Sequence, residues 1–369
     1  MKSTRPAALV GALLVGMAAM LDAQGRRGGA PPGAAAAGPR TGTVEHIVVH
    51  GAALERNLEA DSPDREVTVY LPPAYAAEPA RRFPVVYLLH GYGGRDDTFI
   101  SRLAKLPELA DTLAAAQGFS SPIVVMPNAF TLHKGSMYSS SVTTGDWETF
   151  VAQDLVSYID GHYRTLAVRI SRGLAGHSMG GYGALRIAMK RPDVFSSLYV
   201  MSACCLAANA NPRPESFAAS EAIKTRAQAE EAAKAPGFGP STNLASAAAW
   251  SPNPNNPPLF LDLPVKDGKV RPEIVARWIA NAPMTMLEQN VATLQKFYAI
   301  AIDIGTADTL LASNRRLHEK MTELRIPHFY EEYDGDHTNK VGERLERSVL
   351  PFFSKSLASP ANPTSPAVQ

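Results

Sequence analysis

The chain of 369 residues is predicted to form an α/β domain with a mostly parallel central sheet flanked by helices. Apolar, β-like runs alternate with helix-forming segments along most of the chain, and parallel βαβ units explain that alternation most simply. The first two runs, 44–50 and 65–71, have no helix between them, which favours an antiparallel pair. Polar residues and glycines follow several of the runs, as expected where functional loops leave the carboxyl ends of strands.

The remaining elements follow from the same patterns. Further strands are predicted at 83–89, 122–126, 173–175, 197–202, 298–304 and 327–333. Helices are predicted at 103–116, 147–161, 182–190, 271–280, 309–324 and 338–354. The proline at 192 ends the helix that starts after the strand at 173–175, because proline lacks the backbone N–H that a helix needs.

Ser178 stands in the pattern Gly-x-Ser-x-Gly, between a short apolar strand and a helix. In this context the serine occupies a strained turn, and the glycines let the strand and the helix approach closely. A glycine-serine turn without any chemistry is the alternative interpretation. Ser178 is therefore a candidate nucleophile whose partners must be found elsewhere in the chain.

A serine hydroxyl needs a histidine base, which a carboxylate usually orients. Asp308 and His337 each lie in a loop directly after a predicted strand, and they follow Ser178 in the order typical of α/β-hydrolases. Asp303 lies inside the strand and is expected to be structural. His177, next to the serine, is expected to pack nearby rather than to act as the base.

The tetrahedral intermediate of acyl transfer needs preorganised N–H donors. The strand at 83–89 leads into the glycine-rich sequence His-Gly-Tyr-Gly-Gly at 90–94. The backbone N–H groups of Met179 and Tyr92 are the expected oxyanion-hole donors, and His90 is expected to shape the loop.

These motifs together resemble the esterase D-like family, which includes S-formylglutathione hydrolases, carbohydrate esterase family 1 enzymes and mycolyltransferases. The resemblance covers residues 44 to 353 and is carried by the segments 87–92, 150–165, 172–181, 303–308 and 333–337. It implies an α/β-hydrolase fold, and it implies Ser178, Asp308 and His337 as the triad. The segment 206–283 has no firm counterpart in that family and is treated as an insertion.

The amino terminus is predicted to direct export. Lys2 and Arg5 precede an apolar run from 6 to 21, which is typical of a signal peptide and short for a membrane span. We expect a signal peptide at 1–23, a flexible leader at 24–42, a catalytic domain at 43–358 and a disordered tail at 359–369. The protein would then be secreted or periplasmic, without stable membrane insertion after cleavage.

The insertion is rich in alanine and asparagine but also contains Trp250 and Trp278, which a purely disordered loop would not need. We therefore expect it to pack as a cap beside the active-site mouth, with a surface connection that touches no substrate as the alternative. Together with Trp147, these tryptophans are candidates for the substrate pocket, although core packing is their usual role. Cys204 and Cys205 are adjacent, cannot close a long loop and are expected to be core thiols.

The composition excludes several other functions. The net charge is +1 and no long run of lysine or arginine is present, so nucleic-acid binding has no electrostatic support. No metal site and no cofactor are expected. The sequence thus predicts a serine esterase for small-molecule or polysaccharide-linked esters. An acyltransferase with the same triad and a non-catalytic binding protein on this scaffold are the alternatives.

Overall fold

The computed structural model describes residues 41–359, so the predicted signal peptide, nearly all of the leader and most of the tail lie outside the described residues. Within residues 41–359 the strands are β1 (Thr43–His50), β2 (Asp64–Leu71), β3 (Val85–Leu89), β4 (Ile123–Pro127), β5 (Ser140–Ser141), β6 (Gly145–Asp146), β7 (Arg172–His177), β8 (Ser197–Met201), β9 (Val265–Lys266), β10 (Lys269–Val270), β11 (Ala299–Gly305) and β12 (Phe329–Tyr333).

The helices surround the sheet and build the insertion. They are α1 (Pro73–Ala77), α2 (Thr98–Ser101), α3 (Leu106–Ala114), α4 (Trp147–Thr149), α5 (Leu155–His162), α6 (Met179–Lys190), α7 (Ala218–Glu221), α8 (Arg226–Lys234), α9 (Pro240–Trp250), α10 (Pro272–Asn281), α11 (Pro283–Met286), α12 (Val291–Leu294), α13 (Leu311–Glu323), α14 (Val341–Arg344) and α15 (Leu350–Ser356). A π-helical turn joins α4 to α5, and another joins α14 to α15. Each junction was expected to be one uninterrupted helix.

Eight strands form one sheet in the order β1-β2-β4-β3-β7-β8-β11-β12. The β1–β2 pair is antiparallel, as predicted, and β2 is also antiparallel to β4. From β4 to β12 every neighbouring pair is parallel. The carboxyl ends of these strands therefore meet at one edge, which is where the loops after β3, β7, β8, β11 and β12 converge.

The central strands of the sheet are buried on both faces, and this explains their continuous apolar sequences. Strands β3, β4 and β8 have no exposed residue, since helices cover both sides of a parallel sheet. One apolar cluster lies on the α5 and α6 side and a second on the side of α3 and α15. A third, smaller cluster lies within the insertion.

The insertion at 206–283 is folded. It consists mainly of helices α7 to α10 with the two-stranded ladder of β9 and β10. No helix within residues 41–359 is long and apolar enough to cross a membrane.

Candidate active site

Ser178 sits on a tight turn between β7 and α6. Its φ of 58° and ψ of −115° fall in a region that non-glycine residues rarely adopt, so the surrounding structure must hold this conformation. A Cβ on Gly176 would lie 2.1 Å from the carbonyl oxygen of Gly180, and one on Gly180 would lie 2.0 Å from that of Leu89. Only glycines permit this close crossing of strand and helix, which aims the serine at the carboxyl edge of the sheet.

Ser178, His337 and Asp308 come together at that edge. The Nε2 atom of His337 lies 2.9 Å from the Oγ of Ser178, and its Nδ1 lies 2.7 Å from the Oδ2 of Asp308. The Asp308 and Ser178 side chains are buried, while the imidazole of His337 is about one quarter exposed. With Nδ1 donating to the carboxylate, Nε2 is left free to accept the proton of the serine hydroxyl.

Hydrogen bonds between the loops after β11 and β12 fix the position of His337 relative to Asp308. The N–H of Ala307 donates to the carbonyl of Gly335 over 2.9 Å, and that of Thr306 donates to the carbonyl of Tyr333 over 2.8 Å. These bonds tie the segment that carries Asp308 to the segment that carries His337. The spacing between the two side chains therefore follows from the parallel pairing of β11 with β12.

The electrostatics favour an ionised Asp308. Burial alone would raise the pKa of this carboxyl, but hydrogen bonds from His337 and from the N–H of Leu310 outweigh burial, and the pKa lies below its usual value. Asp303 has a different environment inside β11. Its side chain accepts hydrogen bonds from Tyr199 at 2.9 Å and Arg344 at 2.8 Å and none from His337, and burial raises its pKa to about 6.

His177 and His90 support the site without joining the triad. His177 donates its Nε2–H to the backbone carbonyl of His337 over 2.7 Å. His90 donates from Nδ1 to the carbonyl of Gly91 and accepts at Nε2 from the N–H of Ala129. Burial lowers the pKa of each to about 4, so both imidazoles are neutral near pH 7.

The glycine-rich loop after β3 passes directly over the serine. A Cβ on Gly91 would lie 3.2 Å from the Cβ of Ser178, so the loop that continues into Tyr92 lies against the nucleophile. Met179 is the first residue of α6, so its N–H has no partner within the helix. Among the hydrogen bonds of residues 41–359, neither amide donates to a protein acceptor, which leaves both available for an oxyanion.

A largely apolar cavity of about 380 Å³ opens onto Ser178 and His337. Its other lining residues are Tyr92, Met137, Met179, Cys204, Cys205, Phe238, Thr242, Thr309 and Leu310. Phe238 and Thr242 belong to the insertion, so that segment reaches the mouth of the site. Phe238 stacks on the ring of Tyr92 with a centroid separation of 5.9 Å.

The three tryptophans correct a sequence expectation, because none of them lines this cavity. Trp147 is buried against Phe150, and its Nε1–H donates to the carbonyl of Thr144. Trp250 and Trp278 pack edge to face with centroids 5.3 Å apart, and Trp250 also packs on Tyr182 of α6. Trp250 and Trp278 thus attach the insertion to the core. The aromatic residue of the insertion that lines the cavity is Phe238.

The cysteines also differ from the expectation. Cys204 and Cys205 are only partly buried, and both line the cavity, with their Sγ atoms 2.7 Å apart. They follow β8, the neighbour of the nucleophile strand, so the rule that strand ends carry active-site groups would have located them. Phe238 stands between two glycines in the insertion, and no comparable signal marks it in the sequence.

Comparisons with known proteins give one family match and several partial relatives. Residues 61–341 match the family described as "Putative esterase". An esterase of Mycobacterium tuberculosis is 38% identical over 134 residues, which is 36% of this chain and 27% of that protein. An endo-1,4-beta-xylanase/feruloyl esterase of Xylanibacter ruminicola is 32% identical over 132 residues, or 34% of this chain and 18% of that protein. The match therefore spans less than a third of the length of either relative.

Solved structures confirm the α/β-hydrolase fold. A ferulic acid esterase superposes with a TM-score of 0.61 at 22% identity, covering 85% of this chain and 98% of that one. An S-formylglutathione hydrolase from Agrobacterium tumefaciens superposes with a TM-score of 0.57 at 18% identity, covering 87% and 97%. At such identities the likeness establishes the fold alone.

Proposed function

The chain belongs to the esterase family, and from that premise we propose that it is a serine carboxylester hydrolase that works through an acyl-enzyme. The continuous hydrogen-bonded series from Asp308 through His337 to Ser178, on a turn with positive φ, is the observation that carries this proposal. A serine in an ordinary turn would need neither the strained backbone nor the aligned base.

The proposed reaction uses the triad and the two backbone amides in sequence. The Oγ of Ser178 attacks the ester carbonyl while Nε2 of His337 takes its proton, and the N–H groups of Tyr92 and Met179 stabilise the oxyanion. His337 then returns the proton to the departing alcohol, which leaves the acyl group on Ser178. Water, activated by the same imidazole, hydrolyses the acyl-enzyme and restores the serine.

The proposed substrates are acyl or feruloyl esters of carbohydrates. The apolar cavity beside Ser178 suits an acyl group, and one relative is named as a xylanase/feruloyl esterase. We further propose that the chain is exported after removal of residues 1–23, that its catalytic domain is 43–358, and that the mature enzyme is therefore secreted or periplasmic. The apolar run at 6–21 supports export.

A labelling and substrate experiment tests the proposal. Purified full-length protein should react with a fluorophosphonate at the peptide that contains Ser178 and should hydrolyse at least one of acetyl, feruloyl, longer acyl or thioester substrates. Ser178→Ala should lose both activities, whereas Ser101→Ala, on the surface of α2, should keep both. Folded wild-type protein that takes no label would support a binding protein instead. Preferential transfer to an acceptor sugar over water would reclassify the enzyme as an acyltransferase.

A further inference from the structure

A second cavity adjoins the apolar one at the mouth of the site. Tyr92 and Phe238 line both cavities, so the stacked pair of rings forms the partition between them. The second cavity has a volume of about 390 Å³. An ester bound at Ser178 with its acyl group in the apolar cavity can extend its alcohol part past this partition into the second cavity.

The second cavity is lined by positive charge only. Its charged lining residues are Arg102, Lys134 and Lys234, and none of its lining residues is acidic. Lys234 is neutralised by Glu231, whose Oε2 lies 2.7 Å from its Nζ. Arg102 and Lys134 have no carboxylate within 4 Å among residues 41–359, so two positive charges remain uncompensated next to the active site.

Lys134 is held in place by the partition. Its Nζ donates to the carbonyl of Ala235 over 2.8 Å and to that of Gly237 over 3.3 Å, and it lies 5.6 Å from the centroid of the Tyr92 ring. The N–H of Gly93 donates to the carbonyl of Lys134 over 3.0 Å. This cation is thus fixed between the oxyanion loop and the insertion, and its bonds to neutral carbonyls leave its charge in place.

Arg102 is exposed at the end of α2 and makes no side-chain hydrogen bond within the described part of the chain. Burial lowers the pKa of His90 and of His177, and the positive charge of Arg102 adds to this lowering. The guanidinium presents a planar pair of donors that matches a carboxylate or a phosphate. A positive cleft beside a reaction centre also raises the local concentration of anionic substrates.

We propose that Arg102 and Lys134 bind an anionic group, a carboxylate or a phosphate, on the alcohol part of the ester. This inference rests on the proposed esterase function and narrows its substrate class to esters of acidic alcohols, such as uronic acids or phosphorylated sugars. Neutral esters remain substrates, since the anion adds binding outside the reacting centre.

Three acetyl esters test the proposal: 4-acetoxybenzoate, 4-acetoxyphenyl phosphate and the neutral methyl 4-acetoxybenzoate. Arg102→Gln should lower kcat/KM for at least one anionic ester about three- to fivefold, mainly through KM, as expected for an exposed ion pair. The neutral ester should change less than twofold. The loss should shrink in 0.5 M salt because salt screens exposed charges. The ester that is affected most identifies the anion.

Arg316→Gln is the matched control, because Arg316 is exposed on α13 and lines neither cavity. It removes the same charge and should leave all three rates unchanged. Equal losses on neutral and anionic esters, or equal losses in both arginine variants, would overturn the proposal. A succinyl ester, which carries its carboxylate on the acyl side, serves as a fourth substrate. A loss of kcat/KM in Arg102→Gln that is confined to this succinyl ester would also overturn the proposal.

The same experiment separates this proposal from the one it rests on. Wild-type protein that hydrolyses none of the esters and takes no fluorophosphonate label would refute the esterase function, and the anion site would fall with it. If the protein is active and takes the label, but Arg102→Gln changes kcat/KM for anionic and neutral esters equally, only the anion site would be refuted.

Discussion

Asp308 and Asp303 lie five residues apart, and replacing each by asparagine should have opposite consequences. Asp308→Asn puts an amide where the His337 Nδ1–H now donates over 2.7 Å. The amide can donate to Nδ1 and stabilise the tautomer that carries its proton on Nε2, which then cannot accept from Ser178. In serine hydrolases of this geometry such a change lowers kcat by about 10⁴, or roughly 5.4 kcal/mol in the activation barrier.

Asp303→Asn should act on stability instead. It removes a buried carboxylate from Arg344 and Tyr199, at 2.8 and 2.9 Å, and leaves the guanidinium with Glu331 as its remaining carboxylate partner. Removing one member of a buried pair typically costs about 3–5 kcal/mol of unfolding free energy. Its kcat, measured on folded protein, should stay within about tenfold of wild type.

The assay compares the initial rate on 4-nitrophenyl acetate at pH 8 with urea unfolding of the same samples. The two variants should differ in both rate and stability: Asp308→Asn should be inactive but as stable as wild type, and Asp303→Asn should be active but less stable. A larger loss of kcat at Asp303 in protein shown to be folded would refute the reasoning and move the acid of the triad into β11.

Three further predictions concern the nucleophile, the pocket wall and the buried histidines. Ser178→Ala should lower kcat by about 10⁴ to 10⁶ with an unchanged circular dichroism spectrum, and a tenth of the activity remaining would exclude this nucleophile. Phe238→Ala should lower kcat/KM for bulky acyl esters, by an amount equivalent to about 1–3 kcal/mol, and should leave kcat/KM for an acetyl ester unchanged. Trp278→Ala should mainly lower Tm. The reverse result would show that the tryptophan, and not Phe238, lines the substrate pocket. Burial lowers the pKa of both His90 and His177 from 6.5 to about 4. Below pH 6.5 the unfolded chain therefore binds more protons at these two histidines than the folded protein does. Their contribution to the unfolding free energy should be greatest above pH 6.5 and should fall toward pH 4, by up to about 1.4 kcal/mol per pH unit for each histidine. A urea-unfolding profile that is unchanged when both histidines are replaced by glutamine would contradict this.

The parts of the molecule that depend on local pattern could be predicted from the sequence. The apolar runs mark β3, β4, β8 and β11 to within two residues, because strands buried on both faces need continuous apolar sequence. The positions of Ser178, Asp308 and His337 follow from their places just after strands, and the structure brings these three side chains together.

The walls of the cavity depend on tertiary packing and could not be predicted in the same way. Nothing near Phe238 in the sequence indicates that its ring meets Tyr92, which is 146 positions earlier. The tryptophans were the more obvious aromatic candidates, but they pack against one another and against Tyr182. Where an aromatic side chain lies depends on which surfaces meet, and periodicity does not report that.

The contact between Trp250 and Tyr182 has a consequence for how such enzymes diversify. Tyr182 lies one turn into α6, the helix whose first residue is Met179, so the insertion is anchored on the element that presents the nucleophile. Substitutions at the tip that carries Phe238 can change selectivity without disturbing this contact, while deletion of the whole segment would remove Trp250 from the ring of Tyr182. Substrate choice and attachment of the insertion therefore depend on different residues, Phe238 for the first and Trp250 for the second.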